Sequence, residues 1–311
     1  MKTVKYIALF TCIALCSCGK HTGKKKTDLA ELHLKGKIES VREIRYSLND
    51  SAKMANADTT GCKIDETRYL YNESGNATRV TIYEGYSMSI ASNELIEYDK
   101  NGNVTRKKEC NGSGQAMQIM EYKYDYSGNK SEIDVADSNG NIMEKEIFKS
   151  DSHGNTTEEI SYDSHGEFDG RMENKYDEHD YLIEVDTYNA VSDSAVGRSI
   201  YIYDSKGNNV QFKEYGKGGK LEMESDKEYN SKNNLTTEKI HFYKHASLKR
   251  TEYVYDSTGN AMKILFYDSE EKEPTTTYIR EYDKNGNCIK STEIRNGKVI
   301  MIVYWIIEYY K

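Results

Sequence analysis

Aromatic or aliphatic side chains recur two residues apart along most of this chain, as in Tyr69/Tyr71, Ile96/Tyr98, Tyr122/Tyr124, Tyr201/Tyr203 and Tyr253/Tyr255. Successive side chains of an extended strand point to opposite faces, so each such pair shares one face of a sheet. Polar, glycine-bearing breaks separate runs of about 7–10 residues, which predicts some 20 strands from about Gly36 to Tyr310, each beside its sequence neighbour. A second tyrosine row, Tyr83, Tyr162, Tyr188, Tyr215 and Tyr267, stands twelve residues after the position that opens a turn. Both rows read as packed core with hydroxyls reaching polar groups, in preference to a platform for stacking sugars.

The breaks are periodic. A Tyr-Asp-x-x-Gly-Asn segment or close variant opens at Tyr71, Tyr98, Tyr124, Ser150, Tyr176, Tyr203, Tyr229, Tyr255 and Tyr282, in steps of 26 or 27 residues. Asp or Asn after the opening position can accept hydrogen bonds from N–H groups further on. The glycines, among them Gly75, Gly102, Gly128, Gly207, Gly259 and Gly286, supply the positive φ that closes the loop. Asp180 and Asn233 replace glycine in two repeats, and both residue types tolerate that conformation. A second break lies about halfway through each repeat, as at Asp137–Asn141 and Gly216–Lys220.

These turns, with the opening Leu34-Lys-Gly-Lys-Ile-Glu-Ser-Val41, resemble those of the RHS or YD-repeat proteins, over more than two thirds of the chain. The resemblance implies an all-β antiparallel meander. Large members wrap a toxin in a spiralled shell, but nothing here implies a self-cleaving shell or toxin cargo. Since twist accumulates in open sheets beyond about ten strands, the expectation is a rolled or spiral sheet that buries its aromatic face. The apolar run Val299–Ile307 is too short to cross a bilayer and reads as a buried terminal strand.

The N-terminus is different in kind. Lys2 and Lys5, an apolar run from Tyr6 to Leu15, and then Leu15-Cys16-Ser17-Cys18 resemble a bacterial lipoprotein signal, which implies cleavage after residue 17 and acylation of Cys18. Residues 18–32, with four lysines after Cys18, read as a solvated tether, and 33–311 as the repeat domain. Cys18 is followed by Gly19 rather than Asp, and no acidic cluster follows. The resemblance therefore implies an outer-membrane lipoprotein facing the periplasm rather than the cell surface.

Charge excludes one class of partner. The chain has 43 basic and 51 acidic residues, and setting aside the leader and tether lysines leaves about −14, without the basic stripe that nucleic acid requires. Candidate chemistry is thin. His153, His165 and His179 occupy turns, with His165 on the opposite edge from the other two, so no metal site is expected. Asp99-Lys-Asn101-Gly-Asn103 begins like a calcium loop but lacks its later spacing. Asp151-Ser-His153 and Asp163-Ser-His165 are neighbours in a turn rather than a triad. No nucleophile elbow or phosphate loop is present, so neither an enzyme nor a cofactor is expected. Cys62, Cys110 and Cys288 fall on distant strands and read as unpaired, mostly buried thiols.

One sheet edge should carry all nine periodic turns and the other every irregular connection: Leu48 to Gly61, Glu84 to Asn93, Cys110 to Gln115, Asn189 to Gly197 and Asp268 to Thr276. Loops that vary on a rigid frame suit recognition. The functional expectation is a non-catalytic binding module for a glycan or envelope protein. The alternative is a scaffolding lipoprotein with no specific ligand. Asp50-Ser-Ala52, Asp58-Thr-Thr60 and Asp193-Ser-Ala195 resemble O-glycosylation sites on that edge.

Overall fold

A computed structural model describes residues 27–48, 59, 62–85, 87–192, 194–269 and 271–311. A short helix α1 (Asp28–Glu31) precedes twenty strands: β1 (Ile38–Ser47), β2 (Lys63–Tyr71), β3 (Ala77–Glu84), β4 (Ser89–Tyr98), β5 (Val104–Asn111), β6 (Ala116–Tyr124), β7 (Lys130–Asp137), β8 (Ile142–Ser150), β9 (Thr156–Tyr162) and β10 (Phe168–Tyr176). The second half is β11 (Leu182–Asn189), β12 (Gly197–Tyr203), β13 (Asn209–Tyr215), β14 (Leu221–Tyr229), β15 (Leu235–Phe242), β16 (Ser247–Tyr255), β17 (Ala261–Asp268), β18 (Thr276–Tyr282), β19 (Cys288–Arg295) and β20 (Lys298–Tyr309).

Every strand pairs antiparallel with its sequence neighbours, and β20 returns to pair with β1 from Ile38↔Tyr309 to Ser47↔Met301. The meander is thus a closed barrel, not the rolled or spiral sheet expected from accumulated twist. Curvature comes from the turns. At each periodic turn the opening residue pairs six positions on, as Tyr98↔Val104 and Tyr255↔Ala261, and the register skips a residue there. Such bulges bend a strand and sharpen its twist, so nine of them along this rim, with others near the loop rim as at Glu109/Cys110 and Glu214/Tyr215, curl the sheet until its edges meet. Pairing the edges satisfies two rows of backbone groups that a spiral would leave open.

The barrel has no single core. Twenty strands at about 4.8 Å spacing, at the roughly 40° tilt usual for barrels, make a perimeter of about 125 Å, or about 40 Å across if circular. The apolar clusters are three separate patches of neighbouring strands, around Val41/Tyr69, Ile133/Phe148 and Leu235/Tyr253. Cross-strand registers place Tyr98, Tyr124, Tyr203 and Tyr255 on one face, the tyrosine face. Tyr83, Tyr188, Tyr215 and Tyr267 share the opposite, charged face with Arg, Lys, Glu and Asp. Reading both rows as one buried core is therefore corrected: the rows lie on opposite sides of a wall one sheet thick.

Two boundaries also move. Thr27 caps α1 by accepting from the Ala30 N–H, and Leu29 is buried against Ile38 and Tyr71, so residues 27–32, expected as tether, pack onto the barrel. On the loop edge, Ser89 and Ile90 pair with Glu84 and Tyr83, which reduces the connection after β3 to residues 85–88. Asn111–Gln115 is a regular turn, in which the Asn111 N–H donates to the Gln115 carbonyl at 2.9 Å. The long connections that remain on this rim are 48–62, 190–196 and 269–275. Cys18, most of 49–61 and Asp193 lie outside the described residues.

Candidate functional site

The rim of periodic turns is a built structure in which each turn's own side chains accept its backbone donors. In the turn at Asp99, one carboxylate oxygen accepts the N–H groups of Asn101 and Asn103 at 2.8 Å, and the other accepts Asn103 Nδ2 at 3.0 Å. The same pattern holds Asp256, whose carboxyl is brought down to about 2 by donors from Thr258 and Asn260. Three lone pairs of the Asp99 carboxylate are thus taken up by the turn's own donors. The asparagine after each glycine does more than start a strand. Asn155 and Asn208 reach the neighbouring turns at Asp180 and Asn233, at 2.9 and 3.3 Å, so the turns are linked sideways around the rim. A Cβ on Gly154 would meet Asn129 Oδ1 at 2.9 Å, so this stacking adds a second reason for glycine beyond its φ of +86°.

The opening tyrosines share one contact, and Tyr98 also reaches the Asp28 carboxylate at 2.9 Å. Tyr98, Tyr124, Tyr176, Tyr203, Tyr229, Tyr255 and Tyr282 each donate a hydroxyl hydrogen bond to the carbonyl 20 or 21 residues earlier, on the preceding strand or the residue beside it, at 2.6–2.9 Å. Burial pushes the Tyr255 hydroxyl up to about 12, with Tyr282 and Tyr229 adding to it, so it remains a donor. Tyr71 is buried beside α1 and receives a hydrogen bond on its carbonyl from the Tyr310 hydroxyl. At Ser150, where the tyrosine is missing, Lys130 Nζ lies 3.7 Å from the Phe148 ring centre. The hydroxyls of these tyrosines are thus engaged with backbone inside the wall.

The candidate histidines do not converge. His153 Nδ1 lies 2.7 Å from Asp180 Oδ1 in the adjacent turn, and that contact raises its pKa. His165 sits on the other rim beside Asp163, and His179 beside Glu178. Among the described residues no group of three metal-ligating side chains forms. Cys110 is buried, whereas Cys62 and Cys288 are half-buried, so the thiols are less enclosed than expected.

The charged face holds a motif that strand periodicity alone did not disclose. On β10 and β11, the Arg171 guanidinium covers the Tyr188 ring at 4.3 Å and meets Glu173 at 3.1 Å, while the Tyr188 hydroxyl donates to Glu173 at 3.1 Å. On β16 and β17, Arg250, Glu252 and Tyr267 repeat this geometry at 4.0, 3.2 and 3.0 Å. The signal was present as Arg-x-Glu with a tyrosine fifteen residues after the acid. Near β1 and β2, Glu66 is 1% exposed and ringed by Arg42, Lys63 and Arg68. Burial alone would raise its pKa, but hydrogen bonds from those three cations bring it down to about 2.

One groove opens on the loop rim. It has a volume of about 610 Å³, within the range of small-ligand sites, and lies between the 190–196 connection and the glycine-rich turn after β13. Arg198, Ile200 and Tyr215 form its strand-borne part.

No family model matches this chain, and no curated protein matches it. Among solved structures it is similar to a porin-like protein from Bacteroides uniformis, with 13% identity and a TM-score of 0.36, covering 87% of this chain and 96% of that one. A porin-like protein from Bacteroides vulgatus shares 10% identity at a TM-score of 0.30, over 70% and 94% of the two chains. The TcdB2–TccC3–Cdc42 complex shares 9% identity at a TM-score of 0.21, covering 86% of this chain and 20% of that one.

Proposed function

We propose that this chain is an envelope lipoprotein of the RHS or YD-repeat type, anchored through acylated Cys18, that binds a glycan or a protein through its loop rim without catalysis. The observation carrying this reading is the position of the N-terminal segment. The Leu29 N–H donates to the Gly75 carbonyl at 3.1 Å, so the chain coming from Cys18 arrives at the rim of periodic turns. Eight residues separate Cys18 from Thr27, a reach of about 30 Å at full extension. That rim then faces the membrane, and the loop rim faces away from it, toward partners.

The wall itself suits water on both sides. A strand barrel in lipid needs an apolar outer band, whereas here Glu94 and Lys107 sit on the tyrosine face, and Arg171, Glu173, Lys123 and Glu132 on the charged face. Gly19 after the lipidated cysteine supports an outer-membrane anchor facing the periplasm. A scaffolding role without ligand is the second reading, favoured because Asn111–Gln115, Asp137–Asn141 and Asp163–Glu167 on the loop rim repeat the hydrogen bonds of the opposite rim.

The test has two arms. Mass spectrometry of the membrane-extracted protein should find the N-terminal peptide beginning at acylated Cys18; an unmodified Cys18 removes the anchor. Replacing Asn189–Gly197 and Asp268–Thr276 by four-residue Asp-x-x-Gly turns should abolish capture of envelope glycans or proteins by a barrel that still folds. Retention of every partner would favour the scaffold.

A further inference from the structure

The charged face repeats one pairing three times, and one copy is left incomplete. Arg171↔Tyr188 and Arg250↔Tyr267 are direct cross-strand pairs, each completed by an acid two residues after the arginine. Arg198↔Tyr215 is the third such pair, in the same relation between β12 and β13. Here the residue two after the arginine is Ile200. Arg198 turns away to Asp186 on β11, with Nε at 2.6 Å and Nη2 at 3.2 Å. Among the described residues no cation covers the Tyr215 ring and no group accepts from its hydroxyl, whereas Tyr188 and Tyr267 have both. The combination of a basic residue with isoleucine recurs at Lys145, Ile147 and Tyr162, but that tyrosine runs straight into the tight turn Asp163–Glu167. Tyr215 instead leads into Gly216–Gly219, whose three glycines leave backbone open around the single side chain of Lys217, opposite the 190–196 connection with Ser192 and Ser194.

We infer that the groove over Tyr215 and Ile200 is a subsite for a sugar ring of a polysaccharide. An aromatic face that no cation covers, beside an aliphatic side chain, matches the C–H face of a pyranose, and the Tyr215 hydroxyl, Ser194 and the glycine backbone match its hydroxyl rim. Arg198 is held off the ring by Asp186, which is 3% exposed and whose carboxyl, raised by burial, is brought below its usual range by Arg198 and Lys175. Lys217 on the groove wall and Lys213 opposite Ile200 admit a carboxylated ring as well as a neutral one.

This inference rests on the loop-rim reading and is tested separately from it. The full chain, extracted in detergent, is assayed against an immobilised neutral glucan, mannan, galactan and xylan and an acidic galacturonan. At least one should bind, and Tyr215→Ala should weaken that binding about tenfold or more. Ile200→Glu restores the acid of the closed pairs and should weaken it as much, while Tyr188→Ala and Tyr267→Ala leave it unchanged. Thermal melts confirm that each variant folds. Binding to none of the five polysaccharides, or equal binding by Tyr215→Ala, overturns the inference. Should loop shortening abolish capture of a protein partner that Tyr215→Ala still captures, the loop rim binds protein and the sugar subsite is wrong.

Discussion

Asn287 and Lys35, 252 residues apart in sequence, exchange two hydrogen bonds: the Lys35 N–H donates to Asn287 Oδ1 at 2.7 Å, and Asn287 Nδ2 donates to the Lys35 carbonyl at 2.9 Å. Asn287 Nδ2 also meets the Tyr309 hydroxyl, which donates to Asp283. The residues before β1 thereby occupy the tenth place on a rim of nine turns, and the seam closes with the same asparagine that links turn to turn elsewhere. Asn287 is 1% exposed, so Asn287→Ala leaves buried groups unmatched and should cost about 2–4 kcal/mol. Hydrogen exchange should then accelerate first at residues 35–40 and 306–310. Uniform acceleration around the barrel would mean that the seam is no weaker than the rest of the wall.

The tyrosine ladder predicts paired effects of opposite sign. Tyr255→Phe keeps the ring but leaves the carbonyl of Leu235, itself 2% exposed, without its donor at 2.6 Å, a loss of about 1–2 kcal/mol in urea unfolding. Ser150→Tyr adds the missing rung, its hydroxyl reaching the Lys130 carbonyl twenty residues back, and should stabilise by about 1 kcal/mol. A destabilised Ser150→Tyr would show that the contact of Lys130 with Phe148 has taken over that place.

Acid should loosen the barrel first around Glu66. Its folded-state pKa of about 2 is below the ordinary carboxylate range, so its stabilisation is complete above about pH 4.5 and is lost as the pH falls toward 2. Glu66→Gln leaves Arg42, Lys63 and Arg68 facing one another and should cost about 2–3 kcal/mol at pH 7. The same variant should flatten the stability profile between pH 4.5 and 2, which denaturant titrations at several pH values would read directly.

A second titration lies on the turn rim. Asp180 raises the pKa of His153, so the contact is complete below the ordinary histidine value and is lost as pH rises through the raised one. Asp180→Asn keeps a side chain that tolerates the φ of +64° and should return the His153 titration, followed by NMR, to an ordinary midpoint. An unchanged midpoint would assign the shift to Asp151 instead.

Strand number, antiparallel order and turn chemistry were legible in the sequence because they are local. Tyr-Asp-x-x-Gly-Asn fixes a hairpin within six residues, and alternation fixes which side chains share a face. The loop edge was legible only in outline: Ser89 and Ile90 joined β4 and Asn111–Gln115 closed as a regular turn, since pairing partners can recruit residues that lack a strand pattern of their own. Closure was decided by the tertiary structure. Whether β20 meets β1 depends on curvature summed over the bulges of both rims and on contacts such as Asn287 with Lys35, and no local window contains that sum. The groove has the same origin. Arg198, Ile200 and Tyr215 are an ordinary strand pair in sequence, and what distinguishes them is that Asp186, on the strand beyond, draws the arginine off the ring.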